Sequence, residues 1–341
     1  MSRARSLSYY ILARLMLAPL MIWTITTIVF LLLRATPGDP VDVILGPKAS
    51  PATKEALREQ LGLSGSLLDQ YLTYMDKLLH WDLGTSLATR GQGVVEIIQS
   101  FFPATVELGV ISLAIAFLIG LGFGSFSATR PNSGWDLGGR LFGIITYALP
   151  PFWAGMVMQL IFAVQLGWFP IGTRFPIGME PPSSITGLYT IDSLLTLNFA
   201  QFGTAIYYLA LPCFTLGLLL SGIFERIVRV NLRQTLQSDY VEAARARGVL
   251  ERRVVFSHAL KNALIPVITI LGLMLAALLG GALLTEVTFS WPGLANRLYQ
   301  AISARDYPTV QGIIVFFSAI VVVASILIDI ASAYIDPRIR Y

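Results

Sequence analysis

The sequence is poor in the residues that build disulfide frameworks and metal centres. Its 341 residues include one cysteine, Cys213, and two histidines, His80 and His258. A single cysteine excludes an internal disulfide and a thiolate metal cluster. The two histidines lie too far apart in the sequence to bind a metal ion from one helix. We therefore expect the chain to bind no metal or cofactor of its own.

Charged residues are also scarce. They make up 13% of the chain, about half of what a soluble domain carries, while 55% of the residues are hydrophobic and the mean hydropathy is +0.69. This composition indicates an integral membrane protein. The net charge of +4 comes from basic residues in short segments beside apolar runs, as membrane topology would place them, so we expect no nucleic-acid partner.

A phosphate-binding loop for ATP is missing as well. Such a loop needs Gly-Lys-Ser or Gly-Lys-Thr, so that the lysine and backbone N–H groups reach the phosphates. No lysine follows a glycine; the lysines are Lys48, Lys54, Lys77 and Lys261. If the protein pumps a solute, ATP must be hydrolysed on another subunit.

Long apolar segments dominate what the sequence does contain. Six of them are long enough, at roughly 20 residues, to cross a bilayer as helices. They cover residues 15–33, 104–126, 141–166, 204–222, 264–285 and 313–334. The first is longer than the apolar part of a signal peptide, so we predict a helix that is not cleaved. The expected fold is an all-α polytopic membrane protein with six transmembrane helices.

The distribution of Lys and Arg predicts which loops face the cytoplasm. With both termini inside, most of these residues fall on the cytoplasmic side, and the short external loops hold only Arg174, Arg297 and Arg305. The sequence then divides into a first helix with an external cap, a five-helix core and a cytoplasmic tail: 1–100, 101–334 and 335–341. The core includes a cytoplasmic loop, 237–266.

This loop is the most charged part of the chain, and its pattern predicts a short helix. Asp239 and Glu242 form a capping-box-like start, and Gly248 is expected to end the helix. Helical spacing places four residues on one face, with two alanines at its centre: Tyr240, Ala243, Ala244 and Arg247. We interpret this shallow face as a surface that docks into a groove of a partner.

The same loop carries a resemblance to a known family. Glu242, Ala243, Ala244 and Gly248 resemble the EAA-x3-G loop of ABC importer permeases. Residues 36–40 (TPGDP), 148–170 (ALPPFWAGMVMQLIFAVQLGWFP) and the tail are similar to the dipeptide and oligopeptide branch of that family. One departure concerns the Ile-x-Leu-Pro pattern that ends the general loop, because this chain has His258, Leu260 and Lys261 there. We expect His258 to face solvent or lipid headgroups.

The resemblance implies a fold and a set of partners. It implies the ABC importer type I permease fold in the bacterial inner membrane. It also implies two ATPase subunits that bind ATP and Mg, a second homologous permease subunit and an external substrate-binding protein. The implied mechanism is alternating access, in which ATP-driven closure of the ATPases pushes on the EAA loop. Related carriers move peptides, nickel or glutathione, so the solute stays open.

Several residues within or beside the spans are candidates for a translocation path or for helix packing. Glu107 lies near a span end and either faces protein or water inside or is an interface anchor with its head in water. The pair Pro150-Pro151 should break the third span, as a plain kink or beside a cavity. Small residues that permit close packing recur at Gly272, Ala276 and Gly280, and Asp329 lies near the inner end of the last span.

Two regions outside the spans carry weaker patterns. Residues 67–81 predict an amphipathic helix whose apolar face is made of Leu68, Tyr71, Leu72, Met75 and Leu79. That helix belongs to a cap that either packs on itself or also meets a delivery protein. The loop 172–202 is rich in Pro, Ser, Gly and Thr, and we expect the protein to assemble without it.

Two other classes of function remain as alternatives. A self-contained secondary transporter or channel would favour inverted repeats and charge at the membrane midplane. An intramembrane enzyme would need a nucleophile and base, or pairs of metal ligands, within the spans. The sequence displays neither pattern clearly, so an importer permease is the preferred interpretation.

Overall fold

The fold is built from helices. We describe residues 3–36, 41, 45–46, 49–60, 63–89, 91–280 and 282–335 of a computed structural model. The expected tail, 336–341, lies outside the described residues. The α-helices of six or more residues are α1 (Arg3–Ala35), α2 (Pro51–Gln60), α3 (Leu67–Leu79), α4 (Val94–Thr129), α5 (Gly134–Ala148), α6 (Pro151–Met158), α7 (Tyr189–Leu195), α8 (Phe199–Thr235), α9 (Asp239–Ala246), α10 (Leu260–Leu279), α11 (Leu283–Thr288), α12 (Leu294–Ser303) and α13 (Tyr307–Ile335).

Five helical segments are long and apolar enough to cross a membrane, and a bent pair makes a sixth. The five contain α1, α4, α8, α10 and α13. The sixth is α5 followed by α6 and a π-helical turn, Gln159–Gln165, with a bend of 102° between its halves. Pro150 is the residue before α6 and Pro151 its first residue, where a missing N–H is tolerated. The predicted break at the two prolines is confirmed.

The centre of the bundle is the packing of α4 on α8. Ser112, Ala116, Gly120 and Gly124 recur every four residues along α4, and all four are buried. A Cβ atom built on Gly120 would lie 2.4 Å from the Cβ of Phe224, and one on Gly124 would lie 2.7 Å from the carbonyl oxygen of Glu225. The two backbones therefore approach more closely than side chains would allow.

A second small-residue face packs α10 against α13. The predicted set of Gly272, Ala276 and Gly280 lies along this contact, since a Cβ on Gly272 would meet Ile328 at 2.7 Å and one on Gly280 would meet Val321 at 3.6 Å. These residues therefore pack helices together. The fifth span was predicted to run to residue 285, but α10 ends at Leu279.

After α10 the chain turns into α11, which is held against α4 and α12 by a buried carboxylate. Glu286 is fully buried and accepts a hydrogen bond of 2.6 Å from the hydroxyl of Thr105. Its second oxygen accepts one of 2.8 Å from the backbone N–H of Asn296.

The first helix lies along the last. Asp329 of α13, a candidate path residue, forms an ion pair of 3.3 Å with Arg14 of α1. At the other end of α1, Phe30 packs on two tyrosines of α3, stacked on Tyr74 and edge-on to Tyr71. The predicted apolar face of α3 is therefore partly wrong. Tyr71 and Met75 face inward, whereas Leu68, Leu72 and Leu79 are exposed, because α3 packs on α1 and not on a cap of its own.

The glycine contact between α4 and α8 gives a direct test. Replacing Gly120 by Ala places a methyl group against Phe224 and the backbone of α8, and we expect a loss of about 1–3 kcal/mol in the apparent free energy of unfolding. Gly122→Ala is the matched control, since a Cβ there meets nothing within 4 Å. Detergent-solubilised variants would be compared by denaturant titration, and equal stability of the two would contradict this packing.

Candidate functional site

Helix α9 stands in the predicted loop and has the predicted length, but its start differs from the expectation. Ser238 precedes it, and no side chain caps the first turn. The Ser238 hydroxyl instead donates to the carbonyl of Thr235 at 2.6 Å. Asp239 and Glu242 are exposed and act on the N-terminal half of the helix through charge rather than as a capping box. At the other end Gly248 has φ of 76°, so its predicted role in ending the helix is confirmed.

The predicted docking face of α9 is divided between the interior and solvent. Ala244 is buried together with Val241 in the main hydrophobic cluster of the bundle. Tyr240, Ala243 and Arg247 are exposed. The two alanines were expected side by side at the centre of one free surface, so that expectation is wrong for Ala244. The predicted face did not include Val241, the residue that lies in the interior beside Ala244, so the burial of Ala244 was not foreseen.

Specific bonds fix α9 to the helices on either side of it. The Tyr240 hydroxyl accepts a hydrogen bond of 2.9 Å from the side chain of Asn262, which belongs to α10. Arg245 pairs with Glu251 at 2.7 Å and also donates to the carbonyl of Leu236. This hydrogen bond with Glu251 raises the pKa of Arg245. These bonds therefore connect α9 both to the residue that follows α8 and to the start of α10.

The link from α9 to α10 is a π-helical turn, Val254–Ala259. Val254 and Ala259 are buried in the same cluster as α9, whereas His258 is exposed. Its exposure agrees with the expectation that it faces solvent or headgroups. Single π-helical turns inside helices often occur at functional positions.

A group of charged residues missed by the sequence analysis joins α5 to α8 near the α9 end. Asp136 is fully buried, hydrogen bonds to Arg140 and lies 3.9 Å from Arg233 of α8. Glu225 is also buried and pairs with Arg229, four residues further along α8, at 2.9 Å. The i, i+4 spacing of Asp136 and Arg140 was the available signal for the first pair.

At the opposite end of the bundle, Glu107 is enclosed in protein. One of its oxygens accepts from Arg174 at 2.7 Å, and the other accepts from the backbone and hydroxyl of Thr190 at 2.7 and 2.6 Å. Glu107 is 4% exposed and Arg174 is 6% exposed. The reading of Glu107 as an anchor with its head in water is therefore wrong, because the loop 172–202 supplies partners that the sequence did not reveal.

The same contacts change the interpretation of that loop. Arg174 and Thr190 both belong to it, and a Cβ on Gly172 would lie 2.3 Å from the carbonyl oxygen of Phe289. The loop thus packs tightly on the bundle and fills the hydrogen-bonding capacity of a buried carboxylate. This arrangement opposes the expectation that the protein assembles without it.

An apolar cavity of about 560 Å³ lies between α4, α8 and the segment after α6. Its walls include Ile111, Phe162, Phe169 and Phe214. Pro150 and Pro151 do not line it. The two prolines instead lie at the bend of the third span.

Comparison with known proteins identifies the family. A family model described as the inner membrane component of binding-protein-dependent transport systems matches residues 120–341, and a model for the N-terminal part of such components matches residues 7–109. The chain belongs to this family. As a member, it is the membrane permease component of a transport system, and the matched regions include α9 and the long helices that support it.

Individual relatives match along nearly the whole chain. A dipeptide transport system permease protein of Alkalihalophilus pseudofirmus is 39% identical over 98% of this chain and 100% of its own length. A di/tripeptide transport system permease protein of Pseudomonas aeruginosa is 39% identical over 93% of this chain and 94% of its own. An oligopeptide transport system permease protein of Bacillus subtilis is 36% identical over 97% and 99%. The resemblance to the peptide branch is confirmed.

The buried pair of Glu107 and Arg174 predicts strong coupling between two mutations. Glu107→Gln or Arg174→Gln alone leaves an unpaired buried charge, and each should cost about 3–5 kcal/mol in the apparent free energy of unfolding. The double variant should cost much less than the sum. Denaturant titration of the wild type, the two single variants and the double variant in detergent would give the double-mutant cycle. Glu55→Gln, in an exposed pair with Arg58, is the control. Strictly additive losses would contradict the pair as described.

Proposed function

We propose that this chain is the permease subunit of an ATP-driven importer that takes up di- or oligopeptides. The names of its relatives support this solute class, since they describe dipeptide, di/tripeptide and oligopeptide transport systems. In this proposal the chain works with a second homologous permease subunit, an external substrate-binding protein and two ATPase subunits. ATP and Mg are held by the ATPases, because the chain lacks a phosphate-binding loop of its own.

The observation that supports the proposal most directly is the way α9 is attached to the bundle. One side of this eight-residue helix is buried in the bundle through Val241 and Ala244, and the other side presents Tyr240, Ala243 and Arg247. Its ends are bonded to α8 and α10. A helix held in this way can receive a mechanical push from an ATPase and pass it to two long helices. A loosely attached loop would absorb the same push.

The membrane placement follows from the charges around α9. We propose that α9 faces the cytoplasm, that both termini lie on the same side, and that the membrane is the bacterial inner membrane. The basic residues after α8 and within the loop support this orientation. The opposite end, which carries α3, α7 and α12, then faces the substrate-binding protein.

The pairing of two candidate path carboxylates, Glu107 and Asp329, weighs against a self-contained secondary transporter. Glu107 is paired with Arg174, and Asp329 is paired with Arg14. Ion-coupled transport needs a carboxylate that can bind and release a cation or proton along the path. Both carboxylates are instead engaged with arginines near the ends of the spans.

Affinity purification of the full chain in mild detergent tests the proposal. We expect two ATPases with phosphate-binding loops and a second permease to co-purify, and peptide uptake by proteoliposomes of the complex to require ATP. Recovery of this chain alone, with uptake that survives ATP depletion, would overturn the proposal.

Gly248 allows a sharper test of the docking helix. Its positive φ strains any side chain except those that tolerate the left-handed region, and a Cβ there meets nothing within 4 Å. Gly248→Val should therefore distort the end of α9 by strain alone, at about 1–2 kcal/mol, and reduce ATPase co-purification by roughly tenfold. Gly248→Asn is the matched control, because Asn adopts this conformation readily. Equal recovery with both variants would argue against α9 as the ATPase contact.

Glu242→Lys tests the charge on the same helix. Glu242 is exposed, and it lies in the first turns, where a negative charge is favourable. We expect the variant to lose the ATPases and to remain inserted in the membrane, since the loss of a favourable helix-end charge costs only about 0.3–1 kcal/mol. Normal co-purification, with normal amounts of the chain in the membrane, would exclude Glu242 from the contact.

A further inference from the structure

A small cavity with both polar and apolar walls lies where the end of α1, the helix α3 and the start of α13 meet. Its volume is about 90 Å³. It lies at the end of the bundle opposite α9, because α13 runs antiparallel to both α1 and α10. Arg34, Tyr74 and Gln311 line it, one from each of the three helices. None of these residues takes part in the contacts that support α9.

Each of these three residues has a buried polar atom without a hydrogen-bond partner in the described part of the chain. The atoms are Nη1 of Arg34, the hydroxyl oxygen of Tyr74 and Nε2 of Gln311. Gln311 is only 5% exposed. Buried polar groups in proteins are nearly always hydrogen-bonded, since leaving one unpaired costs free energy. Three such groups around one cavity indicate a site for a ligand that accepts hydrogen bonds.

The guanidinium of Arg34 is held in place and carries an uncompensated charge. It stacks over the ring of Phe30, with its Cζ atom 4.2 Å from the ring centroid, and lies 5.4 Å from that of Tyr307. Its Nε atom donates to the side-chain oxygen of Gln70 at 3.4 Å. Among the described residues no carboxylate lies within salt-bridge distance of it. A fixed guanidinium is preorganised to bind a planar carboxylate through two parallel hydrogen bonds.

Two further charged residues line the cavity, and the net charge of its lining side chains is positive. Lys77 contributes a second cation, and Asp82 contributes one carboxylate. Asp82 uses an oxygen to accept the backbone N–H of Gly84 at 2.9 Å, so part of its charge is satisfied within its own turn. Burial raises the pKa of the Tyr74 hydroxyl, which keeps this group a neutral donor at ordinary pH.

The size of the cavity limits what it can hold. Sites for drug-sized ligands usually measure about 300–1,000 Å³, so this cavity is too small for a peptide. We propose that it binds a small carboxylate, which accepts hydrogen bonds from Arg34, Tyr74 and Gln311. The bound carboxylate would join α3 to α1 and α13 and so stabilise the outer helix α3 on the bundle.

Saturation-transfer difference NMR on acetate, with the full chain in detergent micelles, tests the proposal. We expect saturable binding of acetate at constant ionic strength, and a thermal unfolding midpoint that rises with acetate but not with equal chloride. Arg34→Gln should weaken acetate binding by at least about tenfold, since it removes the charged donor. Binding that does not saturate, or a midpoint that responds equally to acetate and chloride, would overturn the proposal.

Two tyrosines on α3 provide a matched pair of variants. Tyr74→Phe removes a hydroxyl that has no partner among the described residues. The variant should therefore keep its unfolding midpoint in the absence of acetate and bind acetate about tenfold more weakly. Tyr71→Phe removes a hydroxyl bonded to Thr27 at 2.8 Å, so it should lower the midpoint and leave acetate binding unchanged.

Equal acetate affinity in the two tyrosine variants would contradict the assignment of Tyr74 to the site. Phosphate provides a second check on the ligand. If inorganic phosphate displaces acetate at lower concentration than acetate itself binds, the site does not prefer carboxylates and the proposal is wrong.

Discussion

The close approach of α4 to α8 is the contact on which the other helices depend. Within a membrane, lipid is as apolar as the helices, so helices associate through close van der Waals packing rather than through burial from water. Gly120 and Gly124 of α4 lie directly against α8, and Gly217 of α8 lies against Ile115 and Ser112 of α4. Contacts on both helices therefore depend on residues without side chains.

α8, one partner in this contact, is longer than the membrane is thick. α8 contains 37 residues, which corresponds to about 55 Å, whereas the hydrocarbon core measures about 30 Å. Part of α8 must therefore lie outside the hydrocarbon core, and its last turns carry Arg229, Arg233 and the connection to α9. In the proposed function, a displacement of α9 acts on the end of this long helix and on the start of α10, and not on a flexible loop.

Buried charges stabilise the two ends of the bundle in the same physical way. Burying an isolated charge is costly, so each buried carboxylate needs a cation or several hydrogen-bond donors. Glu107 has Arg174 and Thr190, Asp136 has Arg140, and Glu286 has Thr105 with the backbone of α12. The donors for Glu107 and Glu286 come from distant parts of the chain. These carboxylates therefore fix how loops and short helices sit on the long ones.

The sequence by itself determined the features that depend on local physical chemistry. Apolar length predicted the spans, the missing N–H groups of Pro150 and Pro151 predicted the broken one, and Gly248 predicted the end of α9. The spacing of Gly272, Ala276 and Gly280 predicted a packing face, and motif similarity predicted the family. Each of these signals depends on residues that are close in the sequence.

Only the tertiary structure decided which residues turn inward. Ala244 is buried while Ala243 is exposed, because the bundle covers one side of α9. Glu107 faces Arg174, 67 residues away, and α3 turns Tyr71 and Tyr74 toward α1 rather than Leu68 and Leu72. The convergence of Arg34, Tyr74 and Gln311 on one cavity joins three helices that are distant in sequence. Periodicity specifies that a helix has an apolar or polar side, but the partner that covers this side is chosen by contacts between segments far apart in the chain.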